Sequence, residues 1–353
     1  MKKIMMIRLS SLGDVIFNLP LANVLKKNGF EVTWLVSEKG IDIVKDNPAV
    51  DKAVLIPLQR WKKEGFSIKN LIEFLSILIN LRKEHFDIAI DTQMMFKSMI
   101  WLKLCGAKRR LCYIWGKEFS NHGGNEKVIP DPNPNFSQHA VFQHLRYARY
   151  LELEGTDEIK FTLPPTSDET KAKIDDLIKD IDKSKPLVII APATTRKLKH
   201  WNKDNWRKVV DAIKDKCTLV FTGGACDNEL ISYISQGQFL SLAGKTSIKD
   251  LIELFSRATL VMAPDSGSAH LARATNKPAV ISIFCATPPT MYGPFGDDEK
   301  YFALDGGLKC QPCHCMKKCP LEGKDAEQCL NYPEPEKIIN IVNNILQNSK
   351  HSV

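Results

Sequence analysis

The opening run KIMMIRL is almost wholly apolar. VIFNLPLANVLKKNG, which follows it, repeats its apolar positions every three to four residues and stops at Gly29. The first is the pattern of a buried strand, the second that of an amphipathic helix. EVTWLVS predicts a second strand, GIDIVKDNP a short helix ended by Pro48, and DKAVLIPL a third strand. IKNLIEFLSILINLRKEH has helical periodicity, and FDIAIDTQ is a strand ending on polar residues. Strands alternating with helices in this way imply a parallel sheet covered on both faces.

The rhythm lapses over 115–140, where Gly, Asn and Pro predict a long loop, and a helix follows at HAVFQHLRYARYLELEG. The proline-marked stretch LPPTSDETKAKIDDLIKDIDKSKP predicts a domain boundary between about 160 and 186. Beyond it the rhythm restarts. LVIIAPATT, CTLVFTGG, FLSLAG, TLVMAP and PAVISIFCA read as strands, separated by helices such as NKDNWRKVVDAIKD and SIKDLIELFSRA. PEPEKIINIVNNILQN is a terminal helix entered through prolines.

The 353 residues are too many for one ordinary core. They divide into a Rossmann-like domain at 1–165, a second at 186–330 and a terminal helix at 334–350, free to pack back on the N-terminal domain. The fold class is α/β, with two doubly wound domains facing a central cleft. Ligands of such sheets bind beyond the carboxyl ends of the strands. That places Asp14, Asp91, Thr194, Gly223 and Asp265 around the cleft. No apolar run is long enough to span a bilayer, and the N-terminus lacks the apolar core of a signal peptide. The expected compartment is the cytoplasm. The net charge of +8 suits either a solvated basic surface or attraction to anions such as phosphosugars, nucleotides or an anionic membrane face. Nothing interleaves aromatic and basic residues as a nucleic-acid module does, so no nucleic-acid partner is expected.

Two turns of the second half could hold phosphates. APATTRKLKHW sets Thr194, Thr195, Arg196 and Lys199 just after a strand, offering hydroxyls, backbone N–H groups and cations. In APDSGSAHLA, Asp265, Ser266 and Gly267 form a small-residue turn that opens a helix carrying His270. Each alone could be an ordinary capped turn; together they suit a diphosphate. Neither is a Walker A or GxGxxG sequence, which argues against a P-loop ATPase and a dinucleotide oxidoreductase. In LSSLGDV, at the end of the first strand, Asp14 could be a helix cap or a proton acceptor.

Seven segments in order carry a resemblance: SSLGDV (10–15), QRWKK (59–63), FDIAIDTQ with KS (86–98), QHAV (138–141), ATTRKLKHW (193–201), GGACDNE (223–229) and DSGSAH (265–270). They resemble the glycosyltransferase family that contains the ADP-heptose:lipopolysaccharide heptosyltransferases, especially its heptosyltransferase I branch. The resemblance implies a GT-B fold and an inverting transfer without a catalytic metal or other cofactor. It implies ADP-L-glycero-D-manno-heptose as donor and the Kdo/inner-core region of lipopolysaccharide as acceptor, reached from the cytoplasmic face of the inner membrane. Asp14 falls at the family's catalytic base. Thr194, Thr195, Arg196, Lys199, Glu229, Asp265, Ser266, Gly267 and His270 fall at its donor site. Gly13, Arg60, Lys62, Gln93, Lys97 and His139 fall on the acceptor side. Ser266 stands where the family usually has threonine, and MMF replaces a glycine-containing stretch after Gln93. These departures leave open a protein hydroxyl as acceptor, and, in another class, a non-catalytic nucleotide-sugar-binding protein.

Of the ten cysteines, five crowd into 310–329. In a reducing compartment such clusters more often mean metal than disulfide. Cys310, Cys313, Cys319 and Cys329, with Cys315 as an alternate, could close a structural zinc or iron site. A reduced thiol-rich loop is the plainer alternative. Some relatives of the heptosyltransferases, including those that modify autotransporter proteins, carry a similar cysteine finger.

Overall fold

The computed structural model describes residues 1–132, 137–296, 299–315 and 318–349. Residues 133–136 of the expected loop, 316–317 of the cysteine segment and 350 of the terminal helix lie outside the described residues. The chain forms two compact units, Met1–Pro134 with Ala140–Pro165, and Asn135–His139 with Thr166–Val353.

In the first unit β1 (Lys3–Ile7) leads into α1 (Leu12–Phe17) and α2 (Leu19–Lys27). The single helix expected here is thus two, and Pro20 sits in the first turn of α2, where a missing N–H costs nothing. Next come β2 (Glu31–Ser37), α3 (Ile41–Val44), β3 (Lys52–Ile56), α4 (Leu58–Glu64) and α5 (Ile68–Lys83). Then follow β4 (Ile88–Asp91), α6 (Phe96–Leu104), β5 (Arg109–Tyr113), β6 (Glu126–Val128) and α7 (Ala140–Tyr150). The strand β6 lies inside the stretch expected to be all loop. Its three residues are too few to show a period.

The second unit holds α8 (Asp168–Leu177), β7 (Leu187–Ile190), α9 (Lys203–Ile213), β8 (Thr218–Phe221), α10 (Asn228–Ser235) and β9 (Leu240–Ser241). It continues with α11 (Ile248–Ser256), β10 (Leu260–Pro264), α12 (Gly267–Ala274) and β11 (Ala279–Ile283). It ends with α13 (Pro289–Tyr292), β12 (Tyr301–Leu304) and α14 (Pro335–Ser349). The charged helix α8, read as part of the connection, belongs to this unit: Lys173 ion-pairs with Asp250 of α11 at 2.5 Å. The terminal helix buries Ile338, Val342 and Leu346 in the core that also holds Trp206, Val209, Val210 and Ile213 of α9. It therefore packs within the second unit.

Both sheets are parallel and six-stranded, ordered β3-β2-β1-β4-β5-β6 and β12-β11-β10-β7-β8-β9. Each has one place where the winding reverses: between β1 and β4 in the first, between β7 and β10 in the second. Ile4 pairs with both Val32 and Ile88, so β1 is central and apolar on both faces. Chain leaving two neighbouring strands in opposite directions opens a crevice at their carboxyl ends, where such sheets bind ligands. Among the described residues no helix is long and apolar enough to cross a membrane.

Candidate active site

At the first reversal, the loops after β1 and β4 wall a cavity of about 630 Å³. Arg8, Ser10, Ser11 and Asp14 line it from one side and Gln93, Met94 and Met95 from the other, with Trp115 and Lys117 completing it. Asp14 stands in the first turn of α1, two residues into the helix rather than in a turn before it. Its Oδ2 accepts hydrogen bonds from the Ser11 N–H at 3.0 Å and the Ser11 hydroxyl at 2.8 Å. Arg8 Nη2 lies 2.6 Å from its Oδ1. Burial pushes the carboxyl up, but the Arg8 charge and the two Ser11 donors outweigh it and bring the pKa down to about 2. Cap or acceptor was the question; Asp14 caps α1 and still faces the cavity, as a carboxylate.

Gln93 ties the two loops together. Its Oε1 accepts from the Leu9 N–H at 2.6 Å and its Nε2 donates to Ser10 Oγ at 3.2 Å. Lys97 donates to the same hydroxyl at 3.0 Å, and burial, then the neighbouring Arg8, lowers its pKa. Asp91 is fully buried. Its carboxylate accepts from the N–H groups of Gln93 and Met94, at 2.9 and 3.2 Å, and from Ser98 Oγ at 2.8 Å. Burial pushes its pKa up to about 6 against those donors. Asp91 therefore shapes the loop from within.

The other acceptor candidates do not converge on this cavity. Gly13 is buried in the first turn of α1. Arg60 ion-pairs with Glu73 of α5, which also accepts from Trp61 Nε1 at 2.9 Å. Lys62 is exposed on α4. His139 belongs to the second unit, with Nε2 2.9 Å from the Gly293 carbonyl oxygen, and burial lowers its pKa to about 4. Sequence reasoning missed Arg8 and Trp115. An arginine directly after an apolar strand is a signal for Arg8, whereas Trp115, 70% exposed, has none in the local pattern.

At the second reversal, the loop after β7 meets the turn after β10. Lys199 Nζ lies 2.5 Å from Asp265 Oδ2, and Thr287 Oγ1 donates to the same oxygen at 2.5 Å. His270 Nε2 is 3.4 Å from Asp265 Oδ1. Burial would raise the Asp265 pKa, but the His270 hydrogen bond and the Lys199 charge hold it well below the usual carboxylate range. Asp265, at 3% exposure, is a buried anion with three partners. Thr194 presents its carbonyl 2.7 Å from His200 Nε2, while Thr195 and Arg196 are exposed. Ser266 is the N-cap of α12, Gly267 its first residue, and Ser266 Oγ is buried without a hydrogen-bond partner. Glu229 is exposed in the first turn of α10. The donor candidates thus all lie at or beside the carboxyl ends of β7, β8 and β10, with Lys199, Asp265 and His270 in direct contact.

The family model for glycosyltransferase family 9 (heptosyltransferase) matches residues 74–324. The chain belongs to that family. It is similar to lipopolysaccharide heptosyltransferase 1 of Pseudomonas aeruginosa, 24% identical over 334 residues, covering 93% of this chain and 90% of the relative. The family 9 glycosyltransferase of Veillonella parvula superposes with a TM-score of 0.80 at 17% identity, covering 98% of both chains. The E. coli heptosyltransferase WaaC with ADP-2-deoxy-2-fluoro heptose superposes at 0.68 and 19% identity, covering 98% of this chain and 99% of WaaC. The iron-containing dodecameric heptosyltransferase TibC gives 0.57 at 12% identity, with 98% of this chain and 76% of TibC covered. This family 9 transferase has the two-sheet GT-B fold that the resemblance implied, and its family is that of the heptosyltransferases.

Cys329 lies within electrostatic reach of three other thiols of the cysteine segment. Cys329 is buried, and burial raises its pKa to about 11, with the neighbouring thiols of Cys313, Cys310 and Cys319 adding to the rise. Cys315 lies beside Cys313 and Cys319. His314 stacks on Tyr292 at 6.0 Å between ring centroids. Among the described residues no group of three or more His, Cys, Asp or Glu side chains is drawn together as a ready metal site.

Proposed function

We propose that this transferase moves heptose from ADP-L-glycero-D-manno-heptose to the Kdo/inner-core region of lipopolysaccharide, with inversion and without a metal at the reacting carbon. The observation that carries the reading is Asp14, an ionised carboxylate facing the cavity at the first reversal. The attacking acceptor hydroxyl gives its proton to Asp14 as the new bond to C1 forms. The departing ADP gains charge on its β-phosphate, which Lys199 and the N–H groups opening α12 neutralise. Asp265 holds Lys199 in place for that task. No Asp-x-Asp cation cage adjoins the donor turn, which suits a transfer driven by protein cations alone.

Arg8 gives the acid-rich acceptor a further role. A carboxylate sugar entering the cavity competes for the guanidinium, and Asp14, released from part of its ion pair, becomes a better proton acceptor. Gln93 and Lys97 hold the loop against which that sugar rests.

The thiol segment enters this reading as structure. Cys310, Cys313, Cys319 and Cys329, with Cys315 the alternate donor, are the soft set that zinc or iron takes. The electrostatic proximity of three thiols to Cys329 and the likeness to iron-containing TibC support it. The side chains as described must close inward to complete it. No step of the transfer passes through this site.

Purified protein given ADP-heptose and a defined Kdo-lipid acceptor is expected to yield a product heavier by one heptose. An Asp14→Asn variant is expected to lose about 10²–10⁴ in kcat with donor affinity retained. Transfer of a hexose but no heptose overturns the donor, and transfer only to a protein hydroxyl overturns the acceptor. A wild-type rate in the variant removes Asp14 as the base, and no transfer from any donor leaves a nucleotide-sugar-binding protein.

A further inference from the structure

Helix α5 is apolar over roughly two-thirds of its circumference, yet only part of that face is covered. Phe74, Ile77, Leu78 and Leu81 pack into the core beneath the first sheet. The opposite side carries Ile68, Leu71, Ile72, Leu75 and Ile79, between 43% and 74% exposed. At about 100° per residue these five fall within an arc of roughly 100°, an unbroken stripe along the helix. Phe66, just before the helix, is 92% exposed. A surface helix ordinarily presents charge on its outer side, and an apolar face of this length marks a place of contact.

The charge around the stripe says with what. Residues 58–83 hold six cations, Arg60, Lys62, Lys63, Lys69, Arg82 and Lys83, against two carboxylates, Glu64 and Glu73. Glu73 is already engaged by Arg60 and Trp61. Lys69 stands at one end of the stripe and Arg82 and Lys83 at the other, all exposed. Protein interfaces exclude lysine from their cores. An apolar helix face bracketed by exposed cations instead matches the acyl boundary and the anionic headgroups of a bilayer.

We propose that α5 is the face by which this protein docks on an anionic lipid membrane, with the stripe at the acyl boundary and the flanking cations on lipid phosphates. α4 and the start of α5 follow the carboxyl end of β3, the edge of the sheet that also carries the Asp14 cavity. The proposal deepens the function given above, and rests on it only for the purpose that docking serves, access to an acceptor built on lipid.

The test is sedimentation of the full chain with vesicles of phosphatidylcholine, with and without phosphatidylglycerol. Two variants accompany it, Ile72→Ser/Ile79→Ser in the stripe and Lys69→Ser/Lys83→Ser at its ends, both checked for unchanged thermal unfolding. The wild type is expected to bind the anionic vesicles, less so at high salt. The stripe variant is expected to lose about tenfold or more, and the charge variant its preference for anionic lipid. No binding by the wild type, equal binding by both variants, or self-association through the stripe in place of lipid binding overturns the proposal. Transfer to a deacylated, water-soluble acceptor is measured in parallel. If it persists while vesicle binding fails, docking alone falls; if vesicle binding holds while transfer fails, the function falls and the docking surface stands.

Discussion

Arg8 Nη2 stands 2.6 Å from Asp14 Oδ1, so the carboxylate assigned to take a proton is already held by a cation. The two residues leave opposite ends of one short turn after β1, and Ser11 between them donates twice to the same carboxylate. This arrangement keeps Asp14 ionised far below neutrality and makes it a weak base while Arg8 stays in place.

Replacing Arg8 should therefore show in the pH profile. With Asp14 at about 2, it sets no acid limb of kcat/KM in the ordinary working range. In Arg8→Gln the cation is gone and burial is less opposed, so the Asp14 pKa rises and an acid limb emerges between roughly pH 4 and 6. The measurement is kcat/KM against pH for both proteins. Superimposable acid limbs would show that Arg8 does not govern Asp14.

Lys199→Met leaves Asp265 buried with only His270 and Thr287 for partners. Removing one member of a buried pair costs roughly 3–5 kcal/mol, and urea unfolding at pH 7 reads it. The sign with pH follows from the depressed Asp265 pKa. Its stabilising share is present above the unfolded carboxyl pKa and is lost as pH falls through the folded one. The variant, lacking much of that share, is expected to lose less stability on acidification than the wild type. Its kcat should also fall by about 10²-fold as the leaving diphosphate loses its cation. Full activity in a folded variant would detach Lys199 from the chemistry.

Asp91→Asn runs in the other direction. A folded pKa raised to about 6 means that Asp91 contributes most below the unfolded value near 4, a contribution lost as pH rises towards 6 and beyond. Across that interval the charged form costs about 3 kcal/mol. The amide keeps an acceptor for the Gln93 and Met94 N–H groups without that charge. Unfolding curves from pH 4.5 to 7 should thus favour the variant increasingly towards pH 7. A constant difference across the range would count against a buried, titrating Asp91.

The thiol segment is checked by elemental analysis of protein purified without added metal. About one zinc or iron per chain is expected, absent when Cys310, Cys313, Cys319 and Cys329 are all replaced by serine. Removal of the ion by a chelator should lower the unfolding temperature and leave transfer by the folded protein unchanged. A metal-free parent would reduce the segment to a thiol-rich loop.

Local pattern was enough for much of this molecule. Period-two and period-3.6 runs report the conformation of a few neighbouring residues, and so β1, β2, β7, β8, β10 and most helices were legible along the chain. The turns after β1, β7 and β10 were legible too, because small and polar residues there interrupt apolar runs. Tertiary structure decided which of these turns meet. Arg8 and Asp14 are six residues apart, but Gln93 reaches Leu9 across 84 positions and Lys199 reaches Asp265 across 66, through strands that only the sheet order makes neighbours. Packing of helices and loops paired Arg60 with Glu73, His139 with Gly293 and α14 with α9, none of which a local period can express. On α5 the pattern identified a helix, but its apolar residues cover more of the circumference than one core contact needs. Which side is covered depends on where a sheet and a neighbouring helix lie, and that is a property of the packed fold alone.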